Sequence, residues 1–142
     1  VAKDLHNVIG GQPADPVSER RSDLLNPSTG EVFATAPVSG PADVDAAFAA
    51  ASGAFEGWRD ATPSERSLTL LRIADAVEAR AEEFVAIESE NTGKPLGLTL
   101  SEEIPPTVDQ IRFFAAAARM LEGRSAGEYM SGFTSFTRRE PV

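Results

Sequence analysis

Residues 62–95 read "TPSERSLTLLRIADAVEARAEEFVAIESENTGKP", and both ends of this stretch carry the chemistry that a helix needs. Thr62 can cap the first amide groups with its hydroxyl, Pro63 suits the first helical position, and Glu65 can reach back to the Thr62 N–H in a reciprocal capping box. Between the ends, Leu70, Ile73, Val77, Phe84 and Ile87 recur on one helical face, with a break expected near Arg80. Gly93 and Pro95 stop the pattern, because glycine accepts a left-handed cap and proline cannot continue a helix.

Upstream, Val44, Ala47, Phe48, Ala51, Phe55 and Trp58 also recur at helical spacing from Pro41 onward, with Asp43 and Asp45 in the first turn, where the helix dipole favours anions. Gly57 is the expected end. Downstream, a further helical stretch reaches Glu102 and Glu103, and Pro105-Pro106 must open a new helix, since each lacks an N–H and clashes with the preceding turn. Val108, Ile111, Ala115, Ala118 and Leu121 give that helix its stripe, and Gly123 is its expected end.

The flanks read as strand. "LHNVIGGQ" (5–12) predicts a short strand entering a Gly10-Gly11 turn, and "DLLNPSTGEVFATAPV" (23–38) predicts two extended segments about the turn Asn26–Gly30. Phe133, Thr134, Phe136 and Thr137 suit a terminal strand. The expected organisation is a short antiparallel β unit, about four helices and a terminal strand.

A chain of 142 residues with 42% hydrophobic content suffices for one domain with a modest core. Its net charge of −9 opposes any general attraction to nucleic acid or anionic lipid, so neither is expected as a partner. No apolar run is long enough for a membrane span and no signal-peptide core is present at the start; a cytoplasmic location is the expectation. Without cysteine there is no disulfide, thiolate metal site or thiol nucleophile in these residues.

Chemistry is sparse. His6 is the one histidine and lacks a placed partner, which favours a structural or solvent-facing role. There is no P-loop and no G-x-G-x-x-G. Glu102-Glu103 at a helix break could attract a cationic group or be plain solvated acids; Lys94 could meet an anion or complement a helix C-terminus; Arg138-Arg139 could bind phosphate or blunt a strand edge. These residues alone describe a mostly helical domain without a visible active site.

Four strings taken together say more. "NPSTGEVFATAP" (26–37), "DVDAAFAAASGAFEGW" (43–58), "ENTGKPL" (90–96) and "FTRREPV" (136–142) follow the order and approximate spacing found at the start of aldehyde dehydrogenases, and the chain resembles that superfamily from about residue 5 onward. Residues 102–142 further resemble the aminobutyraldehyde branch, which acts on ω-amino aldehydes such as 4-aminobutanal.

The resemblance implies an α/β parent enzyme of which this is the N-terminal portion: residues 1–131 in the coenzyme-binding domain, 132–142 at the start of the oligomerisation strand, and the catalytic domain absent. In such an enzyme a cysteine thiolate adds to the aldehyde, hydride passes to NAD, and water releases the carboxylate. The chain alone is accordingly expected to be inactive, with no catalytic or cofactor-binding residue of its own. The resemblance also implies three sites. Leu24, Leu25 and Asn91 match positions that hold a monovalent cation in relatives of betaine aldehyde dehydrogenases, with Asn91 replacing an acid. Glu103, with Glu102 beside it, matches an acid at the substrate entrance of aminoaldehyde enzymes, while Pro106 replaces a second acid. Phe136, Arg138 and Arg139 fall at a subunit interface of a homo-oligomer, a tetramer or dimer. A parent that oxidises betaine aldehyde or succinate semialdehyde is an alternative, as is a complete small helical binding or assembly module. As part of a larger fold, the chain should expose Phe48/Phe55 and Ile111/Ala115.

Overall fold

The computed structural model describes residues 3–139, apart from the side chains of residues 126 and 129. The chain opens with strands β1 (Lys3–Asp4), β2 (Asn7–Ile9), β3 (Gln12–Ala14), β4 (Arg21–Leu25) and β5 (Val32–Pro37). β2 and β3 form a hairpin about Gly10 and Gly11, whose φ values of 59° and 77° belong to the left-handed region that a tight two-residue hairpin turn requires. β4 and β5 pair antiparallel about the Asn26–Gly30 turn. The antiparallel unit expected over residues 23–38 is present, and the sheet extends beyond it, because β1 lies parallel to β5 on its other edge, giving the order β1-β5-β4. Flanked on both sides, β5 carries the buried Ala34.

Side chains hold the mixed sheet together. Arg21 reaches across β5 to donate to the carbonyls of Leu5 and Thr35 and, at 2.7 Å, to Oγ1 of Thr35. The Thr35 hydroxyl in turn donates to Asp4 at 2.6 Å. β1 covers the edge that a two-stranded hairpin would leave open, and one arginine ties β4 to β5 and to the chain just after β1.

Helices α1 (Pro41–Asp60), α2 (Pro63–Ala79) and α3 (Ala81–Thr92) follow. α1 runs through Gly57 instead of stopping there, a correction with a local cause: Arg59 and Asp60 pair in the last turn, Arg59 also covers the Phe55 ring, and the helix closes at Ala61 just ahead of the α2 cap. The α2 cap is the one the sequence specifies, with Glu65 N–H donating to Thr62 Oγ1 at 3.2 Å and Thr62 N–H donating to Glu65 at 2.7 Å. Arg80 separates α2 from α3, and Gly93 caps α3 in the left-handed conformation.

A short turn α4 (Leu96–Leu98) runs through a π-helical segment, Thr99–Glu103, into α5 (Ile104–Ala117). The prolines do begin α5, but the chain stays helical across the junction, because the Ile104 N–H reaches back five residues to the Thr99 carbonyl. Widening by one residue accommodates two successive positions that can donate no helical bond. α5 ends at Ala117, six residues before Gly123. The glycine serves another purpose, since a Cβ there would collide with the Thr137 carbonyl of the final hairpin. That hairpin pairs β6 (Ser125–Met130) with β7 (Phe133–Phe136), so the terminal strand has a partner that its irregular sequence concealed.

The core lies between α2 and α5. Ala74 and Ala115 are fully buried and bring the helices close, Val108 fills the space beside them, and Arg112 fastens the rim by donating to Asp75 at 2.8 Å and Glu78 at 2.7 Å. Ala115 is therefore buried, as its place on the α5 stripe implies, and not exposed as expected for part of a larger fold; Phe113 and Phe114 are exposed. The stripe on α1 meets the opposite outcome, with Phe48 70% exposed and Val44, Phe55 and Trp58 also open to solvent. None of the described helices is long and apolar enough to cross a membrane.

Candidate functional site

Two loops with distinctive sequence meet at the C-terminus of α3. The first is the Asn26–Gly30 turn, closed by the Ser28 N–H donating to Asn26 Oδ1 at 2.9 Å and the Gly30 N–H donating to the Asn26 carbonyl at 2.8 Å. The second is Gly93–Pro95. A Cβ on Gly93 would stand 3.1 Å from Cγ of Pro27 and 3.6 Å from Oγ of Ser28, so the first turn rests directly on the helix end. A shallow cavity of about 500 Å³ opens beside this contact, lined by Asn26, Ser28, Ser89, Glu90 and Leu96 among others.

This packing brings the segment after Leu24 and Leu25 to the helix end that carries Asn91. The β4–β5 register shifts between Leu24 and Leu25, so the regular ladder is interrupted at the two positions proposed to offer carbonyl oxygens. Asn91 is exposed and does not line the cavity. No group of three or more His, Cys, Asp or Glu side chains among the described residues is arranged to hold a metal ion.

On the other side of the α3 terminus, Lys94 bridges two acids. Its Nζ donates to Glu103 at 2.8 Å and lies 3.0 Å from Glu88. The Glu103 and Glu88 carboxylates hold the ammonium above its ordinary pKa, so it remains cationic. Glu103 is thus tied to the Gly93–Pro95 loop across nine residues, while its neighbour Glu102 is exposed and forms no ion pair among the described residues. Thr99 anchors the same junction from inside, buried, with its hydroxyl donating to the Pro95 carbonyl at 3.1 Å. Sequence reading missed the Lys94–Glu103 bond because nothing local relates the two positions; only the π turn brings them together.

His6 acquires a partner, as its Nδ1 lies 2.8 Å from Asp15 in the cluster that also holds Arg21 and Asp4. That is a structural role at the base of the sheet. Asp43 is the other polar group the sequence undervalued: it is buried, accepts from the Gly40 N–H at 2.7 Å and the Val17 N–H at 2.9 Å, and is held below the usual carboxylate range by those two bonds. Phe136 is exposed on β7, and Arg138 and Arg139 lie beside the corner where α1 meets α2, with Arg139 Nε donating to the Glu122 carbonyl at 3.3 Å.

A dinucleotide would need a glycine-rich cradle at an open helix N-terminus. The α1 terminus already holds the Asp43 carboxylate, the α2 terminus holds Thr62 and Glu65, and α5 opens on prolines that have no N–H to offer. The left-handed glycines Gly10, Gly11, Gly30 and Gly132 all sit in strand turns.

The arrangement is thus a β–helix segment of an α/β fold with two loop motifs locked on one helix end, and comparison with known proteins places it. The model of the aldehyde dehydrogenase family matches residues 14–142, and the chain belongs to that family. An aldehyde dehydrogenase of Vibrio cholerae is 39% identical over 141 residues, which cover 99% of this chain and 28% of the relative. A 2-aminomuconic semialdehyde dehydrogenase of Danio rerio is 38% identical over 138 residues, 97% of this chain and 28% of the relative. An aldehyde dehydrogenase of Bacillus cereus, solved in complex with NAD+, superposes with a TM-score of 0.91 at 29% identity, covering 99% of this chain and 29% of that one. The chain therefore spans little more than a quarter of the length of these relatives.

Proposed function

We propose that this chain is the N-terminal part of an NAD-dependent aldehyde dehydrogenase that oxidises a small aldehyde, specifically an aminoaldehyde such as 4-aminobutanal, to its carboxylate. The observation that carries the reading is the family match over residues 14–142, at a coverage that leaves most of a typical relative outside these residues. NAD, when bound by the remainder of the enzyme, accepts the hydride. The residues described above frame the coenzyme-binding domain and do not touch the reacting atoms.

The preference for an aminoaldehyde rests on the π-turn acids. Lys94 partly neutralises Glu103 while Glu102 stays open, so the junction presents a negative surface that attracts an ammonium-bearing tail more than a neutral one. A monovalent cation at the carbonyls of Leu24 and Leu25 with Asn91 fits the broken ladder between the two leucines. Phe136, Arg138 and Arg139 on the terminal hairpin belong to the contact between copies of a homo-oligomer, and the enzyme works in the cytoplasm.

The test is steady-state NAD reduction by the natural-length protein with 4-aminobutanal, betaine aldehyde and succinate semialdehyde. The highest kcat/KM is expected for 4-aminobutanal, and Glu102→Gln should raise KM for that substrate while leaving that for butanal unchanged. A preference for succinate semialdehyde would overturn the aminoaldehyde assignment, and absence of turnover with any aldehyde would overturn the enzymatic one.

A further inference from the structure

Of the two adjacent acids of the π turn, Glu103 is held by an ion pair and Glu102, among the described residues, is not. The Glu103 carboxylate accepts from Lys94 Nζ at 2.8 Å, and the same ammonium lies 3.0 Å from Glu88 in α3. Lys94, Glu88 and Glu103 are half-buried, whereas Glu102 is open to solvent.

The backbone on both sides of Lys94 presents it to these carboxylates. Gly93 turns the chain out of α3 with φ 77°, and the Lys94 N–H meets Thr92 Oγ1 at 3.4 Å. Pro95 follows, and its carbonyl accepts from both the N–H and the hydroxyl of Thr99, at 3.0 and 3.1 Å, so the loop is fastened to the start of the π turn. Successive residues on a helix point about 100° apart, so the geometry that turns Glu103 to Lys94 turns Glu102 away from it. Ion pairs this exposed contribute little to stability. Their larger effect is on the local charge: one ammonium between two carboxylates leaves the trio with a single net negative charge, and Glu103 is not free to meet a second cation.

We infer that Lys94 sets how strongly the π turn attracts a cationic substrate, because it occupies Glu103 and leaves Glu102 as the acid open to an ammonium-bearing tail. Lys94 is on this account a specificity-determining residue that acts through Glu103 and touches no reacting atom. The inference rests on the proposed aminoaldehyde substrate and adds the residue that regulates its attraction.

The experiment is steady-state kinetics of the natural-length enzyme and of four variants, Lys94→Gln, Lys94→Arg, Glu102→Gln and the double variant Lys94→Gln/Glu103→Gln, each with 4-aminobutanal and butanal. Lys94→Gln releases the Glu103 carboxylate, and a unit charge acting through water at about 7 Å changes the binding of a cation by about threefold. KM for 4-aminobutanal is therefore expected to fall by about threefold in Lys94→Gln, with no matching change for butanal. Lys94→Arg keeps the charge and the double variant removes one charge of each sign, so both should return the parent KM. The gain in Lys94→Gln should vanish in about 1 M salt, where the screening length is about 3 Å. A merely structural role for Lys94 would move both aldehydes together and would respond neither to salt nor to the second substitution. If Glu102→Gln raises KM for 4-aminobutanal while Lys94→Gln leaves it unchanged or raises it, the open acid stands and the role of Lys94 is overturned. If neither variant distinguishes the two aldehydes, or neither aldehyde is oxidised, the aminoaldehyde assignment fails and the role of Lys94 falls with it.

Discussion

Replacing Gly93 by alanine tests whether the Asn26–Gly30 turn is seated on the end of α3. Gly93 has φ 77° and ψ 10°, a conformation that costs an L-residue roughly 1–2 kcal/mol. The new methyl would also lie 3.1 Å from Cγ of Pro27, well inside the separation of about 3.5–4.0 Å at which carbon atoms attract. Crowding of this kind typically adds about 1–3 kcal/mol, so the total expected loss is roughly 2–5 kcal/mol. The two contributions separate in a double-mutant cycle with Pro27→Ala, which removes the crowding atom and leaves Ser28 Oγ at 3.6 Å and Pro27 Cβ at 3.8 Å, both ordinary contacts. In that background Gly93→Ala should cost only the backbone share, about 1–2 kcal/mol. Effects of Pro27→Ala on the unfolded chain cancel in the cycle. Urea titration of the four proteins supplies the numbers, with constant slopes confirming that only stability has changed. A coupling energy within about 0.5 kcal/mol of zero would show that the turn does not rest on Gly93, and the proposed cation site beside it would lose its geometric basis.

Three further outcomes follow from the same structure. Asp43→Asn should be less stable than the parent at neutral pH, and the two should converge in acid: the folded-state pKa of Asp43 is depressed, so its contribution is present above the unfolded-state value and disappears as pH falls through the folded one, which melting curves between neutrality and strong acid resolve. Val108→Ala, in the α2–α5 core, should cost about 2 kcal/mol by denaturant titration. The same change at the exposed Val44 should stay within about 0.5 kcal/mol; a large loss there would mean that the α1 stripe is covered in the protein under test. Thr62→Ala should cost about 1 kcal/mol through loss of the bond to the Glu65 N–H, and Thr62→Ser should restore most of it.

The start of α2 and the end of α3 were legible because a capping box and a left-handed glycine fix them. Thr62, Pro63 and Glu65 satisfy one another's backbone groups within four residues, and Gly93 caps α3 because it alone among neighbouring residues adopts positive φ without strain. The end of α1 was misread because Gly57 only weakens a helix, and the Arg59–Asp60 pair with the following cap outweighs one unfavourable residue. The parallel strand β1 escaped notice because two residues have no periodicity, and β6 because two register shifts interrupt its alternation.

The site shows the same division. The strings at 26–37, 43–58, 90–96 and 136–142 stand out by residue type and order, which was enough to indicate the family. That Lys94 binds Glu103, that Pro27 sits on Gly93, and that Arg66 and Arg139 share a corner depend on how elements far apart in the chain are folded together. The sequence by itself determined the capped helices and turns, since those are settled by hydrogen bonds and dihedral limits within a few residues. Only the tertiary structure decided which apolar faces are buried: the stripe of α1 and that of α5 follow the same periodic rule, yet Phe48 stands in solvent and Ala115 lies in the core. Amphipathic spacing provides a face that can be buried; burial itself requires a second surface, which α2 offers to α5 along its length and which the small β2–β3 hairpin offers to α1 only in part.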